Sequence, residues 1–205
     1  MITIVNYGLG NLGSILNMLK KIEVKALITS LPDEIAKSEK IILPGVGHFD
    51  MAMKQIVSLG IKDILDAKAL KDKIPVLGIC LGMQLLTKGS EEGILPGLGW
   101  IPAFTRRFRF NDGTTLKVPH MGWNTVVKNQ STSLTEGLEM FDEAKFYFVH
   151  SYYVQCDDNR HSILKTTYGI EFDSAIQKDN IYGVQFHPEK SHKYGMKILA
   201  NFVRM

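Results

Sequence analysis

The chain has 205 residues, of which 45% are hydrophobic and 22% charged, and its formal net charge is +3. That length suits a single domain with a substantial core, and the composition excludes collagen-like, low-complexity and disordered classes. So small a charge gives no electrostatic footprint for nucleic acid, and no run approaches the roughly 18 uninterrupted apolar residues of a membrane span.

The first residues lack the basic region and small-residue cleavage site of a secretion signal, so a cytoplasmic location is expected. The two cysteines, Cys80 and Cys156, are expected to stay reduced there, and each thiol is judged alone.

MITIV reads as a first strand and LGSILNMLKKI as a helix, with Leu12, Ile15, Leu16, Leu19 and Ile22 on one apolar stripe. Between them NYGLGNLG places Gly8, Gly10 and Gly13 in a literal G-x-G-x-x-G. Asp33 follows at about the distance expected of a ribose-binding acid in a dinucleotide site. Pro32, Asp33 and Glu34 also suit the first turn of a helix, where proline fits and acids complement the dipole. Asp33 therefore has a structural reason of its own.

VKALITS and KIILPG are the next strands, and the alternation with amphipathic stretches is the βαβ signature of a parallel sheet. LPGVGHF ends the third strand in a loop, Pro44 to Gly47, whose Gly45 and Gly47 let backbone approach a ligand. A peptide N–H of Val46 or Gly47 there is a candidate oxyanion donor. Two helical stretches follow, roughly 49 to 58 and 61 to 71.

IPVLGICLGMQLL runs an apolar strand into Gly78-Ile79-Cys80-Leu81-Gly82 and then at once into a helical pattern. G-x-C-x-G is the cysteine form of a nucleophile elbow, in which the glycines permit a turn that exposes the central side chain above the sheet. Such a cysteine sits at a helix N-terminus, whose partial charge favours a thiolate, and the N–H of Leu81 points to the same place.

From about residue 95 the chain changes to short alternating segments, LGWIPAFTRRFRF, TLKVPHMGW, FYFVHSYYV, SILKTTY, DSAIQ and IYGVQF, with turn signals such as NDG and KDN. These predict antiparallel strands, and Tyr194, Ile198, Leu199 and Phe202 predict a closing helix. QFHPEKS ends the last strand with His187 and, two residues on, Glu189. A thiol that cleaves an amide needs such a base and such an orienter. No spacing of His, Cys, Asp or Glu suggests a metal site.

PGVG, GICLGMQ and FHPE occur in this order, and together they resemble the class I (triad) glutamine amidotransferases along the whole chain, residues 1–205. The resemblance implies an α/β fold: a single domain with a mixed, mostly parallel, flavodoxin-like sheet flanked by helices and an antiparallel C-terminal portion. It implies hydrolysis of L-glutamine to glutamate and ammonia with Cys80 as nucleophile, His187 as acid and base and Glu189 as orienter, without a cofactor. Gln84, Gly47 and the region of Ser151 match substrate-holding positions.

YGLGN, PHMGWN and HSYY are similar to glutaminase subunits that pass ammonia to a (β/α)8 cyclase or synthase subunit of a heterodimer in histidine biosynthesis. LLTKGSEEG and EKSHKYGMK also resemble paralogues that serve sugar amidation, which leaves the acceptor open. The same likeness places Asn11, Trp123 and Lys190 at the partner's face, and there Gly8 and Gly10 serve a tight turn rather than a dinucleotide.

Overall fold

The computed structural model describes residues 1–110 and 115–205, so the turn expected at NDG lies outside the described residues. Four strands come from the first half: β1 (Ile2–Val5), β2 (Ala26–Thr29), β3 (Lys40–Gly45) and β4 (Val76–Cys80). They lie parallel in the order β2-β1-β3-β4. The helices between them are α1 (Leu12–Lys21), α2 (Pro32–Ala36), α3 (Phe49–Ser58) and α4 (Lys62–Asp66), and α5 (Leu81–Leu85) follows β4 directly. Pro32 opens α2 with Asp33 and Glu34 in its first turn, the role expected of them. The helix expected over 61 to 71 is α4 extended by a π-helical turn, Ala67–Lys71.

The strands of the second half are β5 (Ala103–Arg107), β6 (His120–Thr125), β7 (Val127–Lys128), β8 (Lys145–His150), β9 (Tyr152–Cys156), β10 (Ser162–Tyr168), β11 (Ile170–Lys178) and β12 (Ile181–Val184). The closing helix α6 spans His192–Arg204. The main sheet continues β4-β12-β11-β10-β7, with β9 joined to β11 and to β5, while β6 and β8 form a separate two-stranded sheet.

Three readings of the sequence are corrected here. Strand β12 is antiparallel to β11 but parallel to β4, with Val184 opposite Ile79, so the last strand completes the parallel half. FYFVHSYYV is not one strand: the chain leaves one sheet at His150 and enters the other at Tyr152, with Ser151 at the crossing. Pro44 and Gly45 belong to β3, paired with Ile79 and Cys80, so the turn itself begins at Val46.

Strand alternation divides the core between the two faces of the sheet. Ile42, Leu77 and Ile79 pack with Ile15 and Leu19 of α1 and Ile198, Leu199 and Phe202 of α6. Ile41, Leu43 and Val76 pack on the other face with Phe49, Ala52, Met53 and Ile56 of α3. Both apolar stripes read from the sequence therefore cover the same side, and α3 with α4 covers the opposite one.

The glycines around Cys80 are fixed by packing. A Cβ on Gly78 would lie 2.6 Å from the Gly82 carbonyl oxygen, and one on Gly82 would collide with the Leu43 carbonyl oxygen. Backbone atoms cannot swing aside as a flexible side chain can. Gly82→Ala is therefore expected to lower the unfolding free energy by about 2 kcal/mol or more. Gly13→Ala, at a helical site with nothing within 4 Å of the added carbon, should cost nothing and should stabilise by up to about 1 kcal/mol. Urea denaturation of the two variants checks the contrast.

Candidate active site

Parallel pairing of β3, β4 and β12 brings their carboxyl ends side by side, the edge at which open α/β sheets bind ligands. Cys80 stands where β4 becomes α5, with φ +54° and ψ −110°. Such a conformation is strained for a residue with a Cβ, and it persists only because the surroundings over-determine it. The thiol is 6% exposed, nearly buried, yet it borders a cavity of about 300 Å³.

Val46, Gly47, Leu81, Gln84 and Ser151, the five positions expected to hold substrate, line that same cavity with Cys80. Gly47 takes φ +107°, which a side chain would oppose. The N–H of Leu81 opens α5 and has no intrahelical acceptor, as at every helix start. Beneath the turn, the buried Tyr7 hydroxyl donates to the Pro44 carbonyl, and burial, with the Cys80 charge adding, holds the phenol protonated well above its ordinary range.

His187 follows β12 as β12's neighbour β4 ends in Cys80. Its Nδ1 lies 2.8 Å from Glu189 Oε1, and both side chains are 2% exposed. Nε2 is buried and closes no hydrogen bond. Burial alone would lower the His187 pKa, but the facing Cys80 thiol and the Glu189 carboxylate outweigh it and push it up to about 10.

The other cysteine is in a different setting: burial, then Asp173, drive the Cys156 thiol far above its ordinary range. The structure brings Cys80, His187 and Glu189 together and keeps Cys156 apart on β9.

Three elements of the site went unread in the sequence. One is Gln185, fully buried just past the end of β12, with its Nε2 3.7 Å from Cys80 Sγ. A polar Gln inside the apolar run GVQF carried that signal. A second is Glu92, which borders the cavity and accepts from the Phe49 N–H at 2.8 Å.

The third is a histidine pair. His150 Nδ1 lies 2.7 Å from the Tyr152 carbonyl, an obligate acceptor, so that nitrogen donates. His150 Nε2 then accepts from His120 Nδ1 at 2.9 Å, and His120 Nε2 accepts from Asn124 Nδ2 at 3.2 Å. Burial depresses His120 to about 4 and His150 to about 3, so both rings are neutral and their tautomers fixed. Pairing of His120 with His150 across β6 and β8 required the tertiary structure.

The three positions expected at a partner's face lie outside the cavity. Trp123 is 47% exposed and stacks on His192 at 5.5 Å between ring centroids, with Tyr147 against its edge. Lys190 Nζ lies 5.5 Å above that Tyr147 ring. Asn11 is the exposed N-cap of α1, which packs against the Pro188–Lys190 turn. Met121, 62% exposed, extends the apolar surface along β6.

The model of the glutamine amidotransferase class-I family matches residues 3–205. The chain belongs to that family and is a class I glutamine amidotransferase. Among its relatives, a protein of Methanococcus maripaludis named imidazole glycerol phosphate synthase subunit HisH 2 is 53% identical, covering 100% of this chain and 99% of the relative. The corresponding HisH subunit of Bdellovibrio bacteriovorus is 48% identical over 98% of each chain.

Of solved structures, a crystal structure described as a glutamine amidotransferase superimposes with a TM-score of 0.75 at 17% identity, covering 100% of this chain and 98% of that one. PurLQS from Thermotoga maritima gives a TM-score of 0.73 at 18% identity, covering 99% and 97%. These two share the single-domain α/β fold with its mixed sheet. No helix among the described residues is long and apolar enough to cross a membrane.

The imidazole charge is measurable. His187 is expected to titrate near pH 10, and Cys80→Ser and Glu189→Gln should each lower that midpoint, because each removes a partner that raises it. Its folded pKa exceeds that of the unfolded chain, so its contribution to stability is complete below about pH 6.5 and fades as pH climbs toward 10. His120 and His150 should stay neutral from pH 5 to 9 by this reading of about 4 and about 3. Side-chain NMR titration of the six histidines reads all of these midpoints.

Proposed function

We propose that the chain is the glutaminase subunit of an imidazole glycerol phosphate synthase. In this reading it hydrolyses L-glutamine and delivers ammonia to a (β/α)8 cyclase subunit that makes imidazole glycerol phosphate in histidine biosynthesis. The observation that carries the chemistry is the strained Cys80 at a helix start, facing His187, whose Nδ1 lies 2.8 Å from Glu189 Oε1. The pathway rests on full-length relatives at 53% and 48% identity that carry the synthase subunit name.

The Cys80 thiolate attacks the side-chain carboxamide carbon of glutamine and forms a C–S bond. The developing oxyanion is met by the N–H of Leu81 and by a peptide of the Val46–Gly47 turn, groups aimed where charge appears in the transition state. His187 gives its Nε2 proton to the departing nitrogen, the C–N bond breaks, and ammonia leaves a thioester. The now neutral His187 takes a proton from water, hydroxide adds to the thioester carbon, and the C–S bond breaks to release glutamate. Gln84 and Ser151 orient the substrate in the cavity, and no cofactor takes part.

Ammonia set free without an acceptor is lost to water, so the reaction is useful only when a partner is docked. Asn11, Trp123 and Lys190 form the docking face, with Trp123 as its aromatic anchor. A partner seated there can bias the peptide of the Val46–Gly47 turn and complete the oxyanion site. A paralogous role in sugar amidation would use the same glutaminase chemistry with a different acceptor.

Cys80→Ala should abolish glutamate formation while leaving the fold intact, and a glutamine-derived electrophile should label Cys80 and spare Cys156. His187→Asn should cost about 10² to 10⁴ in kcat, more than Glu189→Gln, because loss of the shuttle removes both half-reactions whereas loss of the orienter only misplaces it. Retained activity in Cys80→Ala overturns the mechanism.

Glutamate production is also expected to rise from the lone subunit, to the subunit with its cyclase, to the complex with the cyclase's ligand. A coupling of about 1 to 3 kcal/mol corresponds to roughly 5- to 150-fold. Equal rates in the three conditions would remove the gating. Formation of imidazole glycerol phosphate by the mixed subunits tests the pathway.

A further inference from the structure

Gln84 and Gln185 are both buried, and their amides are oriented by logic that begins at a backbone carbonyl. The Tyr152 carbonyl oxygen can only accept, so the end of Gln84 that lies 3.2 Å from it is Nε2. The same Nε2 lies 3.1 Å from Gln185, so Gln185 must present Oε1 there. Its Nε2 is thereby turned toward Cys80, 3.7 Å from Sγ. The Tyr152 carbonyl is itself held by His150 Nδ1. Each amide has one orientation that leaves no donor facing a donor.

We propose that Gln185 is a positioning residue for glutamine hydrolysis: it holds a hydrogen-bond donor against the Cys80 sulfur and ties that sulfur to Gln84 in the substrate cavity. This rests on the assignment of Cys80 as the nucleophile. A fully buried amide has no hydration to lose when the sulfur becomes charged, so its N–H stabilises a thiolate more than a thiol. His187, with Glu189 behind it, faces the sulfur from the chain following β12, Tyr7 lies beneath it after β1, and neutral His150 borders the cavity on β8. Among these groups Gln185 is the one hydrogen-bonded both to Cys80 and to Gln84.

The fixed orientation has a second consequence. Both Nε2 hydrogens of Gln84 are spent on Tyr152 and Gln185, which leaves its Oε1 as the uncommitted end of the amide. Loss of Gln185 frees one of those hydrogens and lets the Gln84 side chain turn. The thiolate and the grip on substrate are thereby disturbed by one change.

The test is the pH profile of Cys80 alkylation by iodoacetamide in a Cys156→Ser background, where Cys80 is the sole thiol, together with glutaminase kinetics of the subunit bound to its cyclase. Gln185→Met removes the amide at similar volume, and Gln185→Glu keeps an acceptor for Gln84 but offers the sulfur no donor once ionised. Both should raise the alkylation midpoint by about one pH unit, the scale of a hydrogen bond to a charged group. Both should lower kcat by about tenfold, with KM changing less, and thermal unfolding should show each variant folded.

Midpoints equal to the parent's in both variants, or a changed plateau rate with an unchanged midpoint, would overturn the role of Gln185 and leave the nucleophile assignment standing. A parent in which Cys80 alkylates no more readily than a free thiol, with glutamine not hydrolysed, would overturn the nucleophile assignment and this inference with it.

Discussion

Everything at the site depends on the close approach of three parallel strand ends, and that approach depends on the absence of side chains at Gly78 and Gly82. The Leu43 carbonyl of β3 occupies the space where a Gly82 Cβ would stand, and the Gly82 carbonyl crowds Gly78 in turn. With those contacts made, Cys80 is held at φ +54°. The strain at Cys80 is sustained by the packing of both sheet faces, since the helices on each side bury the apolar residues of β3 and β4.

From that constraint the rest of the chemistry is arranged in depth. Lining the cavity are the Val46–Gly47 turn and the start of α5. Behind it lie His187 and Glu189, whose side chains meet across 2.8 Å with almost no solvent. Farther back, neutral side chains hold carbonyls and amides in one orientation, from Asn124 through His120 and His150 to Tyr152. A neutral, fully directed chain is stiff and places no competing charge beside the Cys80 thiol.

The exposed surface is arranged by the same topology. Because β12 ends beside β4, the turn that carries Glu189 also carries Lys190, and the small sheet of β6 and β8 sets Trp123 and Tyr147 beside it. One short segment, His187 to Lys190, therefore connects the buried imidazole to the exposed aromatic surface. This shared turn is the physical link on which the partner dependence proposed above rests.

The sequence by itself determined the elements whose signal is local. Alternating apolar runs and helical stripes gave β1 to β4 and α1 to α3, and GICLG gave the elbow, because sharp turns and strand ends leave glycines and prolines at fixed spacing. Glycine spacing alone misled at Gly8, Gly10 and Gly13, where a tight turn mimics a dinucleotide fingerprint; φ values of +84° and +132° at the first two explain the residues without a ligand. What only the tertiary structure decided is pairing between distant segments. Whether β12 joins β4 or only β11, where FYFVHSYYV divides between two sheets, and which ends of Gln84, Gln185, His120 and His150 face one another depend on contacts between residues far apart in the chain. A strand's own pattern states which face is buried, but it does not name the neighbour that buries it.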